Sequence, residues 1–165
     1  MNTAAVLTIS DSSFHGTRKD LSGPAVVREL TAAGFQVTLT AILPDEREQI
    51  QQKLVEWSRQ ARLVVTVGGT GIAVRDVTPE ATLAVVERLI EGIPEKMRAT
   101  GAAKTPLAAL SRGICGVRGE SLILNLPGSP KAAVESLQAV AEILPHALDL
   151  LAGNTEHREH LTGNR

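Results

Sequence analysis

The chain has 165 residues, 43% hydrophobic, 21% charged and 2% aromatic, with a formal net charge of −1. That length suits one domain burying roughly two thirds or more of its unfolded surface without staples, and the near-neutral balance with almost no aromatics excludes phosphate-backbone tracking and base stacking, so nucleic acid is not an expected partner. The only cysteine, Cys115, excludes an internal disulfide framework and any CxxC site, and the lack of a basic flank, cleavage site or apolar run near the roughly 20 residues of a bilayer span makes the expectation cytoplasmic, unprocessed and without membrane contact.

The first apolar run, Ala4 to Ile9, reads as a strand that breaks at Ser10-Asp11-Ser12-Ser13. A polar loop then continues through His15-Gly16 to Asp20, longer than a simple βα connection and therefore a candidate for function. Ser22-Gly23-Pro24 signals a helix start, Val27 and Leu30 share its face, and Gly34 is its expected C-cap. From Phe35 to Leu43, apolar residues alternate with Thr38 and Thr40, the pattern of a strand exposed on one side near a sheet edge. Pro44 ends it.

Asp45-Glu46-Arg47-Glu48 has the spacing of a capping box. Ile50, Leu54, Trp57 and Ala61 follow as one stripe, which predicts an amphipathic helix from about Glu46 to Gln60. Leu63 to Val67 is a continuous apolar run, the mark of a strand buried on both faces. It stops at Gly68-Gly69-Thr70-Gly71, bringing bare backbone to a strand end. Thr78-Pro79-Glu80 then supplies an N-cap, a proline at the first helical position and an acid in the first turn. The stripe Leu83, Val86, Ile90, Ile93 extends that helix to a stop at Gly92 and Pro94.

Pro94 to Ala103 fits a short helix. Ile114 to Val117 and Leu122 to Leu126 are strand-like runs joined through Arg118-Gly119-Glu120-Ser121 as a hairpin. A second glycine-containing loop, Asn125 to Lys131, precedes a helix capped by Ser129, with Pro130 at its first position. Its stripe runs from Leu137 to Leu151, with a kink expected at Pro145 and an end at Gly153. Residues 154–165 are polar and form an expected tail. The alternation argues for a three-layer α/β domain over residues 1–153, a mainly parallel sheet with helices on both faces and a small hairpin near 114–126.

The common nucleotide fingerprints fail. Val74 stands where a dinucleotide motif needs glycine or alanine, and no Gly-Lys-Ser/Thr follows for a P-loop. What remains is acids and glycines: Asp11, Asp45 and Asp76 each fall at or just after a strand's carboxyl end, where a parallel sheet gathers them along one edge. Carboxylates beside backbone donors suit Mg²⁺ on a polyphosphate, since that ion keeps water and phosphate in most of its shell. Taken alone, Asp45 reads better as an N-cap, and GGTG serves equally as a tight turn. For Asp76 that alternative is weaker, because Thr78 already supplies a cap. Arg75, Lys131, Ser111 and Arg112 also read as solvated or ordinary turn residues, Cys115 as packed core, and His157 and His160 as tail residues.

In combination, Ser10-Asp11, Asp20-x-Ser22-Gly23, Pro44-Asp45-Glu46, Gly68-Gly69-Thr70-Gly71, Arg75-Asp76-Val77-Thr78-Pro79-Glu80-Ala81, Ser111-Arg112 and Asn125-Leu126-Pro127-Gly128-Ser129-Pro130 resemble the MoaB/Mog family of molybdenum-cofactor biosynthesis. The resemblance spans about residues 4–153. Retention of both Pro-Asp-Glu and Arg-Asp-Val-Thr-Pro-Glu is similar to its MogA-type members and to the G domains of plant and animal fusion proteins. It implies Mg²⁺-dependent transfer of AMP from ATP to the molybdopterin phosphate with release of pyrophosphate. Asp45 and Asp76 match the essential acids and would bind Mg²⁺. Gly68, Gly69, Thr70, Gly71, Asn125, Pro127, Gly128, Ser129 and Pro130 would cradle the substrates, and Ser10, Asp11 and Ser111 would help line the pocket. It further implies a homotrimer and a molybdenum-insertion protein downstream; a non-catalytic molybdopterin-binding module is the alternative. The stretch His15-Gly16-Thr17-Arg18-Lys19 is idiosyncratic.

Overall fold

Six strands, β1 (Thr3–Ile9), β2 (Gln36–Leu43), β3 (Leu63–Val67), β4 (Arg88–Leu89), β5 (Cys115–Arg118) and β6 (Ser121–Leu126), form one sheet in the order β2-β1-β3-β6-β5-β4 in a computed structural model describing residues 1–155. Residues 156–165, including His157 and His160, lie outside the described residues. Strands β2, β1, β3 and β6 run parallel, while β5 pairs antiparallel with β6 and β4 antiparallel with β5. The sheet is therefore mixed and mostly parallel. The helices are α1 (Asp11–Phe14), α2 (Ser22–Ala32), α3 (Arg47–Trp57), α4 (Thr78–Leu83), α5 (Gly92–Ala102), α6 (Pro130–Val140) and α7 (Ile143–Leu151).

Successive side chains of a strand point to opposite faces, and the central strands use this to feed two cores. Val6 of β1 and Val65 of β3 pack with Leu30 of α2, Met97 of α5, Leu137 of α6 and Leu144 of α7. Leu7 and Val64 face the other way, onto Ile50, Leu54 and Trp57 of α3 and Ala81 of α4. Each fully buried leucine contributes about 1.5–3 kcal/mol, so both layers anchor the strand ends from which the loops spring. The edge strand β2 alternates exposed and half-buried positions, as its Thr-interrupted pattern predicts. Gly34, with φ of 90°, ends α2: its N–H reaches Thr31 O at 3.1 Å and the Phe35 N–H reaches Leu30 O at 3.0 Å, the two bonds of a Schellman cap.

Several expectations are corrected. The helix beginning at Thr78 ends at Leu83 rather than near Ile93. The chain turns back to the sheet, where Glu87 N–H bonds Val117 O at 2.8 Å and Ile90 N–H bonds Cys115 O at 2.9 Å, so sheet pairing overrides a helical spacing that leaves Leu83 exposed. Gly92 opens α5 instead of closing a helix. The predicted kinked C-terminal helix is two helices, and Pro145, which has no N–H to offer Ala141, lies in the first turn of the second. The polar loop after β1 contains the short helix α1, capped by the Ser10 hydroxyl, which accepts from Ser13 N–H at 3.2 Å. Asp45 is not an N-cap: Glu46 holds that position, with no side-chain cap, and the capping box is absent. Thr78 likewise lies within α4 rather than capping it. The expected hairpin is present, its two-residue turn carrying Gly119 at φ of 57°.

Candidate functional site

Four loops meet beyond the carboxyl ends of the parallel strands, after β1, β2, β3 and β6. The glycines after β3 are required there: Gly68 and Gly69 have φ of 107° and 67°, and a Cβ on Gly68 would strike Ile9 O. Thr78, buried, donates its hydroxyl to Gly68 O at 3.0 Å and its N–H to Gly69 O at 3.1 Å, tying the loop to the start of α4. From the other side, Gly128 lies so close that a Cβ on it would sit 3.4 Å from Gly68 Cα. Ser22 fixes that second loop by donating to Gly128 O at 2.5 Å. Asp20 accepts from Thr8 Oγ1 at 2.7 Å and Gly23 N–H at 2.9 Å, which explains the spacing of Asp20-x-Ser22-Gly23.

The carboxylates divide into two kinds. Asp11 Oδ1 accepts from Asp45 N–H at 2.9 Å, and Asp45 Oδ2 accepts from Asp11 N–H at 3.0 Å. Arg75 forks onto Asp11, both bonds 2.9 Å, and reaches Glu46 Oε1 at 3.0 Å. Those Arg75 bonds, with the Asp45 amide, hold the Asp11 carboxyl below its ordinary value. Asp45 moves the other way: burial raises it, and the charges of Asp11 and Asp76 add to that against the Asp11 amide bond. Asp76 Oδ2 accepts from Ala73 N–H at 3.0 Å. Asp45 Oδ1 and Asp76 Oδ1 accept nothing among the described residues, so each acid keeps an oxygen for a ligand. Two carboxylates with an uncommitted oxygen fit Mg²⁺ shared with phosphate and water, and among the described residues no cluster of three or more His, Cys, Asp or Glu offers a metal a fuller cage.

Arg112 holds the segment between GGTG and Asp76 in place. Its Nε donates to Gly71 O and its Nη2 to Asp76 O, each at 2.8 Å, its N–H bonds Thr70 O at 2.8 Å, and Nη1 pairs with Glu80 Oε1. Burial pushes the Glu80 carboxyl up, but the Arg112 bond and charge outweigh it and leave the group below its ordinary value. Sequence reasoning missed Arg75, Arg112 and Glu80 as organisers of the site. Their partners lie 29 to 64 residues away, and no local spacing signals such contacts.

Two adjoining hollows open on these loops. A polar one of about 370 Å³ is lined by Ser10, Asp45, Gly68, Pro130 and the segment Arg18-Lys19-Asp20. A more apolar one of about 510 Å³ is lined by Thr70, Gly71, Pro127, Ser111 and residues of α5 such as Met97. Gly69, Asp76, Gly128 and Ser129 line both. Asp45 and Asp76, distant in sequence, thus share the polar hollow. Two expected pocket residues stand outside. Asp11 lies beside the hollow, locked to Arg75 and Asp45. Asn125 is buried beneath it: its Nδ2 donates to Thr66 Oγ1 and Thr82 Oγ1, each at 2.9 Å, and its Oδ1 accepts from Ile114 N–H at 3.2 Å. The side chain is a bolt between β6, β3 and α4 rather than a pocket wall.

Fold and site together define an α/β protein with a two-chambered, glycine-rimmed cleft at the carboxyl edge of a mixed sheet. Residues 5–146 match the family model described as a probable molybdopterin binding domain. A molybdopterin adenylyltransferase of Helicobacter pylori J99 is 42% identical over 156 residues, covering 90% of this chain and 87% of the relative. The molybdenum cofactor synthesis protein cinnamon of Drosophila melanogaster is 44% identical over 153 residues, and there this chain, matched over 90% of its length, spans 25% of the longer protein. The crystal structure of the molybdopterin biosynthesis enzyme MoaB from Thermus thermophilus superposes with a TM-score of 0.88 at 48% identity, over 93% of this chain and 98% of that one. The chain belongs to the MoaB/Mog family of molybdenum-cofactor biosynthesis.

Proposed function

We propose that this chain is a molybdopterin adenylyltransferase. Enzyme status, as a nucleotidyltransferase, follows from its close match over most of its length to relatives of that name. In the proposed reaction a phosphate oxygen of molybdopterin attacks the α-phosphorus of ATP. The bond to the β-phosphate's bridging oxygen breaks, pyrophosphate leaves, and a new anhydride joins AMP to molybdopterin. The attacking phosphate is already anionic, so the chain supplies position and counter-charge rather than a nucleophile. Asp45 and Asp76 would hold Mg²⁺, which when bound offsets the negative charge gathered on the phosphates. The loops at Gly68–Gly71 and Pro127–Pro130 would cradle the substrates, with Ser10 and Ser111 on opposite sides.

The observation that carries this reading is the shared hollow of Asp45 and Asp76, each with an oxygen turned to no protein donor. Asp76→Asn is expected to abolish pyrophosphate release from ATP in the presence of molybdopterin and Mg²⁺ while preserving molybdopterin binding; a wild-type rate defeats the assignment. The 48% identity to a structure named MoaB favours a second reading, a molybdopterin-binding module without turnover. ATP binding without pyrophosphate release in the wild-type chain would select it. The proposal extends to a cytoplasmic homotrimer that passes its product to a molybdenum-insertion protein, and sedimentation of the purified chain tests the trimer. Among the described residues no helix is long and apolar enough to cross a membrane.

A further inference from the structure

We infer that Arg18 and Lys19, on the loop between α1 and α2, form a cationic subsite for the phosphate group of a ligand in the polar hollow. The inference rests on the functional reading only for the identity of that ligand. The loop is built rather than loose: Thr17 N–H, Thr17 Oγ1 and Arg18 N–H all converge on Ser12 O at 3.0, 3.1 and 3.2 Å, and Gly16 turns the chain at φ of 76°. That staple carries both cations to the rim of the hollow that holds Asp45 and Asp76. The other cations that line the two hollows, Arg98 and Lys104, are engaged, as are Arg75 and Arg112. Arg75 and Arg112 hold acids and carbonyls, Arg98 donates to Gly113 O at 3.1 Å, and Lys104 pairs with Glu135 at 3.3 Å. Arg18 and Lys19 make no side-chain hydrogen bond or ion pair among the described residues. Asp20 beside them is turned to Thr8 Oγ1 and Gly23 N–H and pairs with neither cation. A hollow containing two carboxylates admits a phosphate only with counter-charge, and Arg18 and Lys19 are the cations among its lining residues.

The test is titration of tripolyphosphate and Mg²⁺ into the full chain by calorimetry, comparing wild type, Arg18→Ala/Lys19→Ala and Lys96→Ala, which removes a charge from the exposed side of α5. Charge-assisted contacts at an exposed rim predict a Kd raised about tenfold or more in the double variant, with a weaker salt dependence than wild type, and no change for Lys96→Ala. A Kd within twofold of wild type, or an equal loss for Lys96→Ala, overturns the subsite. Steady-state KM values then identify the source. A rise for ATP assigns the triphosphate, a rise for molybdopterin assigns the phosphate monoester, and a rise for neither overturns the inference. A wild-type chain without adenylyl transfer defeats the functional reading alone, since the tripolyphosphate titration still decides the subsite.

Discussion

Asp11 and Asp45 exchange hydrogen bonds, each backbone N–H donating to the other's carboxylate at 3.0 and 2.9 Å. The exchange joins the ends of β1 and β2 and places the two like charges side by side. Arg75 resolves the repulsion unequally, because its fork grips Asp11 and leaves Asp45 without a cation of its own. One acid of the pair is thereby held by a cation, and the other keeps an oxygen with no donor among the described residues.

The unequal sharing has a pH signature. Asp11, held below its ordinary value, stabilises the fold above about pH 4, the ordinary carboxylate range, and that contribution is lost as pH falls through its lowered folded value. Asp45, raised by burial, has the opposite sign. Its ionised form costs stability at neutral pH, and the cost disappears as pH falls through its raised folded value. Asp45→Asn is therefore expected to lose adenylyl transfer yet melt at or above the wild-type temperature at pH 7. That margin should shrink to nothing as both proteins are taken toward about pH 4. Melting curves across that range check it, and a variant less stable than wild type at pH 7 contradicts it.

Asn125 separates a structural from a substrate role. Asn125→Ala removes the donor that the buried Thr66 and Thr82 oxygens accept from and the acceptor of the half-buried Ile114 N–H, a cost of about 2–4 kcal/mol. For a chain of this size that corresponds to a melting temperature lower by roughly 4–16 °C. Urea denaturation measures it directly. A variant with unchanged stability and a raised KM would return Asn125 to the pocket wall.

Gly68 and Gly128 pack side by side in the cleft wall with different tolerance. Gly68→Ala forces a Cβ onto Ile9 O at a positive φ, so a loss of about 2 kcal/mol or more is expected. Gly128 has no positive φ, and its Cβ would meet Gly68 Cα at an ordinary 3.4 Å. Gly128→Ala should keep stability within about 0.5 kcal/mol while narrowing the seam between the hollows. Equilibrium unfolding of the two variants side by side checks the contrast.

What the chain reveals in advance follows the range of the interaction. The buried run Leu63–Val67 and its terminal glycines are local signals, and so are the Ser129 cap and the alternating edge strand β2. The helix extended through Ile93 failed because Glu87 and Ile90 bond to β5, a strand some 25 to 30 residues further on, and a stripe cannot reveal a competing partner. Asp45 illustrates the same limit: its cap spacing is real, but an amide 34 residues away captures the carboxylate. The placement of Asp45 and Asp76 beyond strand ends, where they line one hollow, was legible, whereas the arginines that organise their surroundings appear only once the sheet order brings the loops together.

Arg112 is the strongest test of that last point. Three of its contacts, to Gly71 O, Asp76 O and Glu80, depend on one planar fork, which a lysine ammonium cannot reproduce. Arg112→Lys should preserve charge and cost about 1–2 kcal/mol in stability, since two carbonyls lose donors at a partly exposed site. The larger effect is expected on catalysis, because the carbonyls of Gly71 and Asp76 both lose their side-chain donors while the backbone bond to Thr70 O remains. A misplacement of about 1 Å can cost 100-fold in rate, so kcat should fall by about that factor while the KM for ATP, set by the surrounding loops, changes much less. Magnesium titration of the variant's rate supplies the discriminating readout: a displaced Asp76 requires more Mg²⁺ for half-maximal activity, whereas a purely structural role for Arg112 lowers the melting temperature and leaves that midpoint unmoved.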